Sequence, residues 1–142
     1  MIPVEPLSAE AFAPYGRVVD VPQRPPDAVG DPWRWWDETA LLEEGRYAVG
    51  YLEVEPGRVA FDWAERHEDS EELVIPVGGE LLVYVGEPYR VFRVRPGQAV
   101  ILGKGVWHGA PLAAASSASA IVLLGAERGT ETVRFEEKEV RR

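Results

Sequence analysis

Short runs of apolar or alternating residues fill most of the chain from Tyr47 onward, and turn residues separate them. Alternation of apolar and polar positions has the period of a β-strand, and a short apolar run is typical of a strand buried on both faces. Turn-forming residues occur at positions 55–57, 78–79, 86–88, 95–97 and 103–105. The predicted strands are YAVGYLEV, VAFDWAERH, EELVIPV, ELLVYVG, RVFRV, AVILG, ASAIVLLG and TVRFEEKEV. Many short strands with almost no helical periodicity predict an all-β sandwich or barrel.

The first 45 residues carry different signals. Ser8 can cap the free N–H groups of a short helix that Pro14 limits, and residues 17–20 are predicted to form a short strand. A connection rich in proline and glycine then delivers three tryptophans, Trp33, Trp35 and Trp36. Such a cluster can form a ring-stacking platform or a subunit contact, but we expect it to plug the open end of a sheet or to pack in a dimer.

The length of 142 residues is that of one typical domain. No internal boundary is visible, so we predict a single domain over residues 1–142. It divides into an N-terminal extension (1–45), a β core (about 46–127) and a C-terminal strand or short helix (128–142).

Composition and charge exclude several classes of protein and of metal site. Hydrophobic residues make up 46% of the chain, which excludes a disordered protein, and no apolar run reaches the roughly 18 residues that span a bilayer. No secretory leader is visible at the N-terminus, so we expect a cytoplasmic protein without a membrane partner. The net charge of −9 argues against a nucleic-acid partner, and the absence of cysteine excludes thiolate metal sites.

The stretch from Val59 to His67 combines a strand pattern with candidate chemistry. In an extended strand the side chains of Val59, Phe61, Trp63, Glu65 and His67 lie on one face. Three apolar residues followed by a carboxylate and an imidazole indicate a strand that begins in a core and ends at a pocket. We expect the chemistry of the protein at that end of the strand.

The chain has two histidines, and each lies in a spaced motif. Glu72 follows His67 by five positions and a turn glycine, Gly79, comes after it, while Gly105 precedes His108 by three. These spacings resemble the two motifs of the cupin superfamily, which implies a double-stranded β-helix (a jelly-roll barrel), here with a short N-terminal helix. The resemblance assigns the motif glutamate to Glu72 in preference to Glu71.

The cupin motifs also imply a metal site. Glu65 stands where the first motif usually has a histidine, and Gly103 replaces a proline of the second motif. The resulting set of nitrogen and oxygen ligands suits nickel, manganese, iron or zinc, or it acts by acid and base chemistry without a metal. The candidate ligands are Glu65, His67, Glu72 and His108.

A closer resemblance covers most of the chain. PLSAEAFAPYGRVVDV, ERH with IPVGGE, and VWH with APL are similar to the ureidoglycolate lyase family, whose members also have Glu-Arg-His in the first motif. The resemblance implies a carbon–nitrogen lyase of allantoin degradation that splits ureidoglycolate into glyoxylate and urea, commonly as a homodimer. Where the family commonly has a second histidine after the one matched by His108, this chain has Gly109.

The resemblance and the chemistry of the reaction assign roles to individual residues. His67 and His108 are the candidate acid or base, and Glu72 is a candidate base or ligand. Lys104, in a turn before His108, is a candidate for binding the substrate carboxylate, and Trp107 is a candidate pocket wall. Two alternatives stay open at this point: a cupin that binds a small molecule without turnover, and a metal-dependent cupin isomerase or dioxygenase.

Overall fold

The computed structural model describes residues 1–31, 33–41 and 45–142. The described residues form strands throughout and one short helix, which is in keeping with the predicted all-β class. No helix among them is long and apolar enough to cross a membrane. The elements are β1 (Ile2–Pro6), α1 (Ala9–Phe12), β2 (Gly16–Val19), β3 (Ala28–Val29), β4 (Arg34–Trp35), β5 (Tyr47–Val54), β6 (Ala60–Arg66), β7 (Glu72–Gly78), β8 (Leu81–Val85), β9 (Arg90–Val94), β10 (Ala99–Leu102), β11 (Leu112–Ala113), β12 (Ala118–Gly125) and β13 (Glu131–Arg141).

The strands form two large sheets. One sheet has the order β11-β8-β9-β1-β13-β6, and the other has the order β2-β10-β7-β12-β5; β3 and β4 pair separately. The predicted helix is confirmed, since the Ser8 side chain accepts a hydrogen bond from the Ala11 N–H at 3.1 Å. The predicted strand at 17–20 is confirmed as Gly16–Val19, and the C-terminal segment is a strand.

Strand β1 was not predicted from the sequence. Pro3 and Pro6 lack the N–H that a central strand donates, yet β1 lies inside the six-stranded sheet, parallel to both β13 and β9. Its partner strands come from distant parts of the chain, so the local pattern of apolar and polar residues does not predict this pairing. Segments outside the predicted core range of about 46–127 therefore supply two strands of this sheet.

Strand β8 contributes to two apolar clusters of the described residues, and all five of its residues are buried. Leu81, Val83 and Val85 face one cluster, which contains residues of both sheets and is covered by Phe12 of the helix. Leu82 and the remaining β8 side chain, Tyr84, face the second cluster. There the Tyr84 ring stacks on Phe61 of β6, with the ring centroids 3.8 Å apart. The start of β6 thereby packs against β8.

The tryptophan cluster is not a plug within this chain. Trp33 and Trp35 leave 53% and 57% of their surface exposed. Trp36 is half-buried and donates its indole N–H to the Arg24 carbonyl at 2.8 Å. The expectation of a plugged sheet is therefore wrong for Trp33 and Trp35, because Trp35 in β4 and Trp33 just before β4 both lie on the surface.

Candidate metal and acid–base site

The end of β6 pairs with the segment that contains the second histidine. The Glu65 N–H donates to the His108 carbonyl at 2.6 Å, and the His108 N–H donates to the Glu65 carbonyl at 2.9 Å. His108 also bridges to Val85 of β8. The two motif segments, distant in sequence, are thus joined by an isolated β-bridge.

Two motif glycines permit this arrangement. Gly105 has φ +74° and donates its N–H to the His67 carbonyl at 2.8 Å. Gly79 has φ +68°, and a Cβ at that position would lie 2.6 Å from the Ser117 carbonyl oxygen. Both positions require the left-handed backbone that glycine adopts without steric cost.

The two imidazoles face each other in a buried space. Their ring centroids are 5.4 Å apart, and His67 and His108 are 4% and 2% exposed. Nδ1 of His67 lies 3.1 Å from the Gly129 carbonyl oxygen, and Nδ1 of His108 lies 3.0 Å from that of Val106. A carbonyl only accepts hydrogen bonds, so both Nδ1 atoms carry a proton. In the neutral form of each ring, the lone pair is therefore on Nε2.

The Nε2 atoms point at carboxylates. Oε1 of Glu72 lies 3.5 Å from both Nε2 atoms, and Oε1 of Glu65 lies 4.0 Å from that of His67 and 3.9 Å from that of His108. Among the described residues, these two Nε2 atoms are the buried side-chain atoms without a hydrogen-bond partner. Buried polar groups without partners are uncommon in folded proteins, and they mark a place where a ligand or reacting group completes the site.

The protonation equilibria of these residues depend on one another. Burial raises the pKa of Glu72, but the imidazoles of His108 and His67 outweigh burial and lower that pKa to about 2. Glu72 raises the pKa of His67. Burial lowers the pKa of His108, but Glu72 outweighs it and the net shift is upward. Glu72 is therefore an anion at neutral pH, and both imidazoles hold a proton more tightly than a free histidine does.

The donor set fits a divalent metal ion. One ligand atom from each of Glu65, His67 and His108 lies within 4.8 Å of the others, and Glu72, at the start of β7 in the other large sheet, contacts both imidazoles. The Nδ1–H form of both rings leaves the Nε2 lone pairs free to bind a cation. Two imidazoles and two carboxylates are ligands that zinc and other first-row transition metals accept.

Residues 1–141 match the family described as ureidoglycolate lyase. The chain belongs to this family. It is 34% identical to the ureidoglycolate lyase of Rhodobacter capsulatus, over 78% of this chain and 79% of that protein. It is 31% identical to ureidoglycolate lyase 2 of Rhizobium meliloti, over 96% of this chain and 91% of that protein.

A solved structure confirms the predicted cupin fold. A cupin 2 domain-containing protein from Halorhodospira halophila superposes with a TM-score of 0.54 at 23% identity, and the match covers 84% of this chain and 81% of that one. At this identity the likeness concerns the fold. The jelly-roll arrangement of two facing sheets is thus shared.

The structure gives a physical reason for a glycine at position 109. A Cβ at position 109 would lie 1.6 Å from the hydroxyl oxygen of Tyr84. That hydroxyl donates to the Trp63 carbonyl at 2.8 Å, and the Tyr84 side chain is buried. No larger residue fits at position 109 while Tyr84 keeps this position.

The other two predicted site residues, Lys104 and Trp107, are close to His108 in the sequence. Lys104 is exposed in the turn that leads to His108. Trp107 is half-buried against the second apolar cluster, and the guanidinium of Arg66 lies 4.5 Å from its ring centroid. Arg66 therefore covers one face of the Trp107 ring.

The groups that orient the imidazoles are not recognisable in the sequence. The carbonyls of Val106 and Gly129 and the hydroxyl of Thr130, 3.2 Å from Nδ1 of His67, surround the rings. A backbone carbonyl has no side-chain signature, so no local signal pointed to these positions. The placement of Gly129 opposite His67 depends on the long-range pairing of β13 with β6.

Proposed function

We propose that this chain cleaves ureidoglycolate to glyoxylate and urea. The observation that carries the proposal is the pair of buried imidazoles whose Nε2 atoms both lie 3.5 Å from Oε1 of Glu72. Family membership supports the choice of substrate, because curated relatives over most of this chain bear the name ureidoglycolate lyase. The reaction is a carbon–nitrogen lyase step.

The substrate carries a hydroxyl and a ureido nitrogen on one carbon. When the hydroxyl loses its proton, the oxygen electron pair forms the carbonyl of glyoxylate and the carbon–nitrogen bond breaks. The departing nitrogen takes up a proton and leaves as urea. The reaction therefore needs a base near the hydroxyl and an acid near the nitrogen.

The two imidazoles suit these roles. One ring, in its neutral form, takes the hydroxyl proton at Nε2, and the other, in its protonated form, donates a proton from Nε2 to the nitrogen. Glu72 stabilises an imidazolium on either side, since its carboxylate contacts both rings and has a pKa of about 2. Lys104 is proposed to bind the substrate carboxylate, and Trp107 to form part of the pocket wall.

A divalent cation is the proposed alternative to acid–base chemistry by the two rings. It would be held by Nε2 of His67 and His108 and by the carboxylates of Glu65 and Glu72, and the rings would then act as ligands. When bound, nickel, manganese, iron or zinc supplies charge stabilisation to the oxygen that becomes the carbonyl. The partnerless Nε2 atoms support this assignment.

Glyoxylate release from ureidoglycolate tests the function. Purified protein is treated with a chelator, and release is followed for each enantiomer with and without added Mn²⁺, Ni²⁺, Zn²⁺ or Fe²⁺. We expect release above the non-enzymatic rate and a loss of at least about 100-fold in His67→Ala and His108→Ala. Glu53→Gln, at an exposed position of β5, is the control and should keep full activity. Saturable binding without release under any metal condition would reject the lyase and favour a binding module.

We also propose a homodimer, formed through the outer face of the five-stranded sheet. Tyr51 and Val49 of β5 are 65% and 69% exposed. They pair directly with Ile121 and Leu123 of β12. Directly paired residues lie on the same face of a sheet, so these four form a continuous apolar surface. Light scattering should give a dimer for the wild type and a monomer for Tyr51→Glu; a monomeric wild type would contradict the proposal.

A further inference from the structure

The turn between β12 and β13 is held at both ends by residues that follow His67. The Ser70 hydroxyl accepts from the Gly125 N–H at 2.8 Å and donates to the Glu71 carbonyl at 2.7 Å. Both carboxylate oxygens of Asp69 accept from the Gly129 N–H, at 3.2 and 3.3 Å. The two side chains thereby fix the position of the turn relative to the end of β6.

Gly129 connects this anchor to the imidazole. Its N–H donates to Asp69, and its carbonyl oxygen accepts from Nδ1 of His67 at 3.1 Å. A second group lies near the same nitrogen, since the Thr130 hydroxyl oxygen is 3.2 Å from Nδ1. The two neighbours of Nδ1 differ in chemistry, because a carbonyl only accepts a hydrogen bond and a hydroxyl either accepts or donates.

This difference decides the tautomer of the ring. Next to the Gly129 carbonyl, Nδ1 must carry the proton, and Nε2 keeps its lone pair toward Glu72. If the carbonyl moved away, the Thr130 hydroxyl would donate to Nδ1, and the proton of the neutral ring would move to Nε2. A protonated Nε2 has no lone pair with which to accept a proton or bind a cation.

We propose that Asp69 is a positioning residue that, through Gly129, holds His67 in the Nδ1–H tautomer with the Nε2 lone pair facing Glu72. The proposal rests on the proposed function only in assigning His67 to the site. Asp69 is exposed and does not contact the imidazole, so it acts through the backbone of Gly129. A residue that merely anchored a turn would change stability without changing the tautomer.

The histidine content of the chain allows a direct test. Only His67 and His108 contribute imidazole signals, so ¹⁵N-detected spectra of the metal-free protein at alkaline pH resolve both tautomers, with His108 as the internal control. We expect Nδ1–H for both rings in the wild type. In Asp69→Ala, the His67 ring should shift to a mixture or to the Nε2–H form, while His108 keeps its tautomer. An unchanged His67 signal in Asp69→Ala would overturn the proposal.

Four further variants complete the test. Asp69→Asn keeps an acceptor oxygen and should retain the wild-type tautomer, and Thr130→Val should retain it because the carbonyl remains. In the double variant Asp69→Ala/Thr130→Val, the competing donor is gone, so the Nδ1–H form should be recovered in part. Glu127→Gln changes a carboxylate of the same turn that pairs with exposed Arg46, and it should have no effect. If Asp69→Ala does not fold, Asp69→Ser, whose hydroxyl is one bond shorter, replaces it with the same expectation.

Cation binding gives a second measurement. Removing a group that hydrogen-bonds a metal-binding histidine typically lowers the metal affinity by about 10- to 100-fold. We expect Zn²⁺ affinity by calorimetry to fall by at least about tenfold in Asp69→Ala and to stay unchanged in Glu127→Gln. Equal Zn²⁺ affinity in wild type and Asp69→Ala would count against the proposal. Because the tautomer is measured without substrate, a protein that fails to cleave ureidoglycolate leaves this inference intact, and the reverse also holds.

Discussion

Glu65 and His108 exchange two backbone hydrogen bonds, of 2.6 and 2.9 Å, that join the two motif segments. The bridge uses main-chain atoms, so the Glu65 side chain is free of any structural duty in it. Replacing that side chain therefore separates its chemistry from the fold.

Glu65→Gln should weaken cation binding without weakening the fold. The carboxamide keeps the size of the side chain but removes the negative charge that lies within 4.0 Å of both Nε2 atoms. We expect Zn²⁺ affinity to fall by at least about tenfold, with the free energy of unfolding unchanged within about 0.5 kcal/mol. Calorimetry and urea unfolding measure the two effects. Full affinity in this variant would show that Glu65 is not a ligand.

Glu72 should make the metal-free protein sensitive to acid. Its folded-state pKa of about 2 lies below the ordinary value of 4.5, so its ionised form stabilises the fold above pH 4.5, and this contribution disappears as the pH falls toward 2. The shift corresponds to about 3 kcal/mol. Urea unfolding at a series of pH values should show Glu72→Gln less stable than wild type at neutral pH, with the difference closing in acid. A pH-independent difference would contradict this assignment, and Glu53→Gln, at an exposed position, should follow the wild type throughout.

Gly109→Ala should destabilise the protein because of the Tyr84 hydroxyl, which is 1.6 Å from the Cβ position. Overpacking of this kind costs about 1–3 kcal/mol. Gly57→Ala adds a methyl group with nothing within 4 Å and should be neutral within about 1 kcal/mol. In a double-mutant cycle, the double variant Gly109→Ala/Tyr84→Leu should lose less stability than the two single variants together, since the smaller side chain makes room for the methyl group. If the two losses of stability were strictly additive, Tyr84 would not be the residue that limits the space at position 109.

Arg66 should stabilise the end of β6 more than another arginine with two acidic partners does. Its guanidinium lies over the Trp107 ring and pairs with Glu131 at 2.7 Å and Glu68 at 3.2 Å. Arg58 pairs with Glu137 and Glu139 and serves as the matched control. We expect Arg66→Ala to lower the urea midpoint more than Arg58→Ala, and Arg66→Lys to recover less than half of the loss, because lysine cannot stack its charge flat on a ring. Equal urea midpoints for Arg66→Ala and Arg58→Ala would show that the contact between Arg66 and Trp107 adds no stability.

The sequence by itself determined the strand content, the capped helix at Ser8 and the two motif segments. These features have local causes, namely alternation with a period of two, a capping hydroxyl and glycines at turns. The spacing of His67, Glu72, Gly105 and His108 also allowed the resemblance that family membership confirms. The sequence did not predict β1, because its prolines argue against a central strand and its partner strands lie at distant positions in the chain.

Only the tertiary structure decided how the site is assembled. It brought Glu65 and His108 into register, directed both Nε2 atoms at Glu72 and placed the Gly129 carbonyl behind His67. It also showed that Tyr84 occupies the space beside Gly109. These relationships depend on backbone carbonyls and on strand pairing between remote segments. Such groups are the same in every residue, so their positions follow from the complete set of long-range contacts and not from any local pattern.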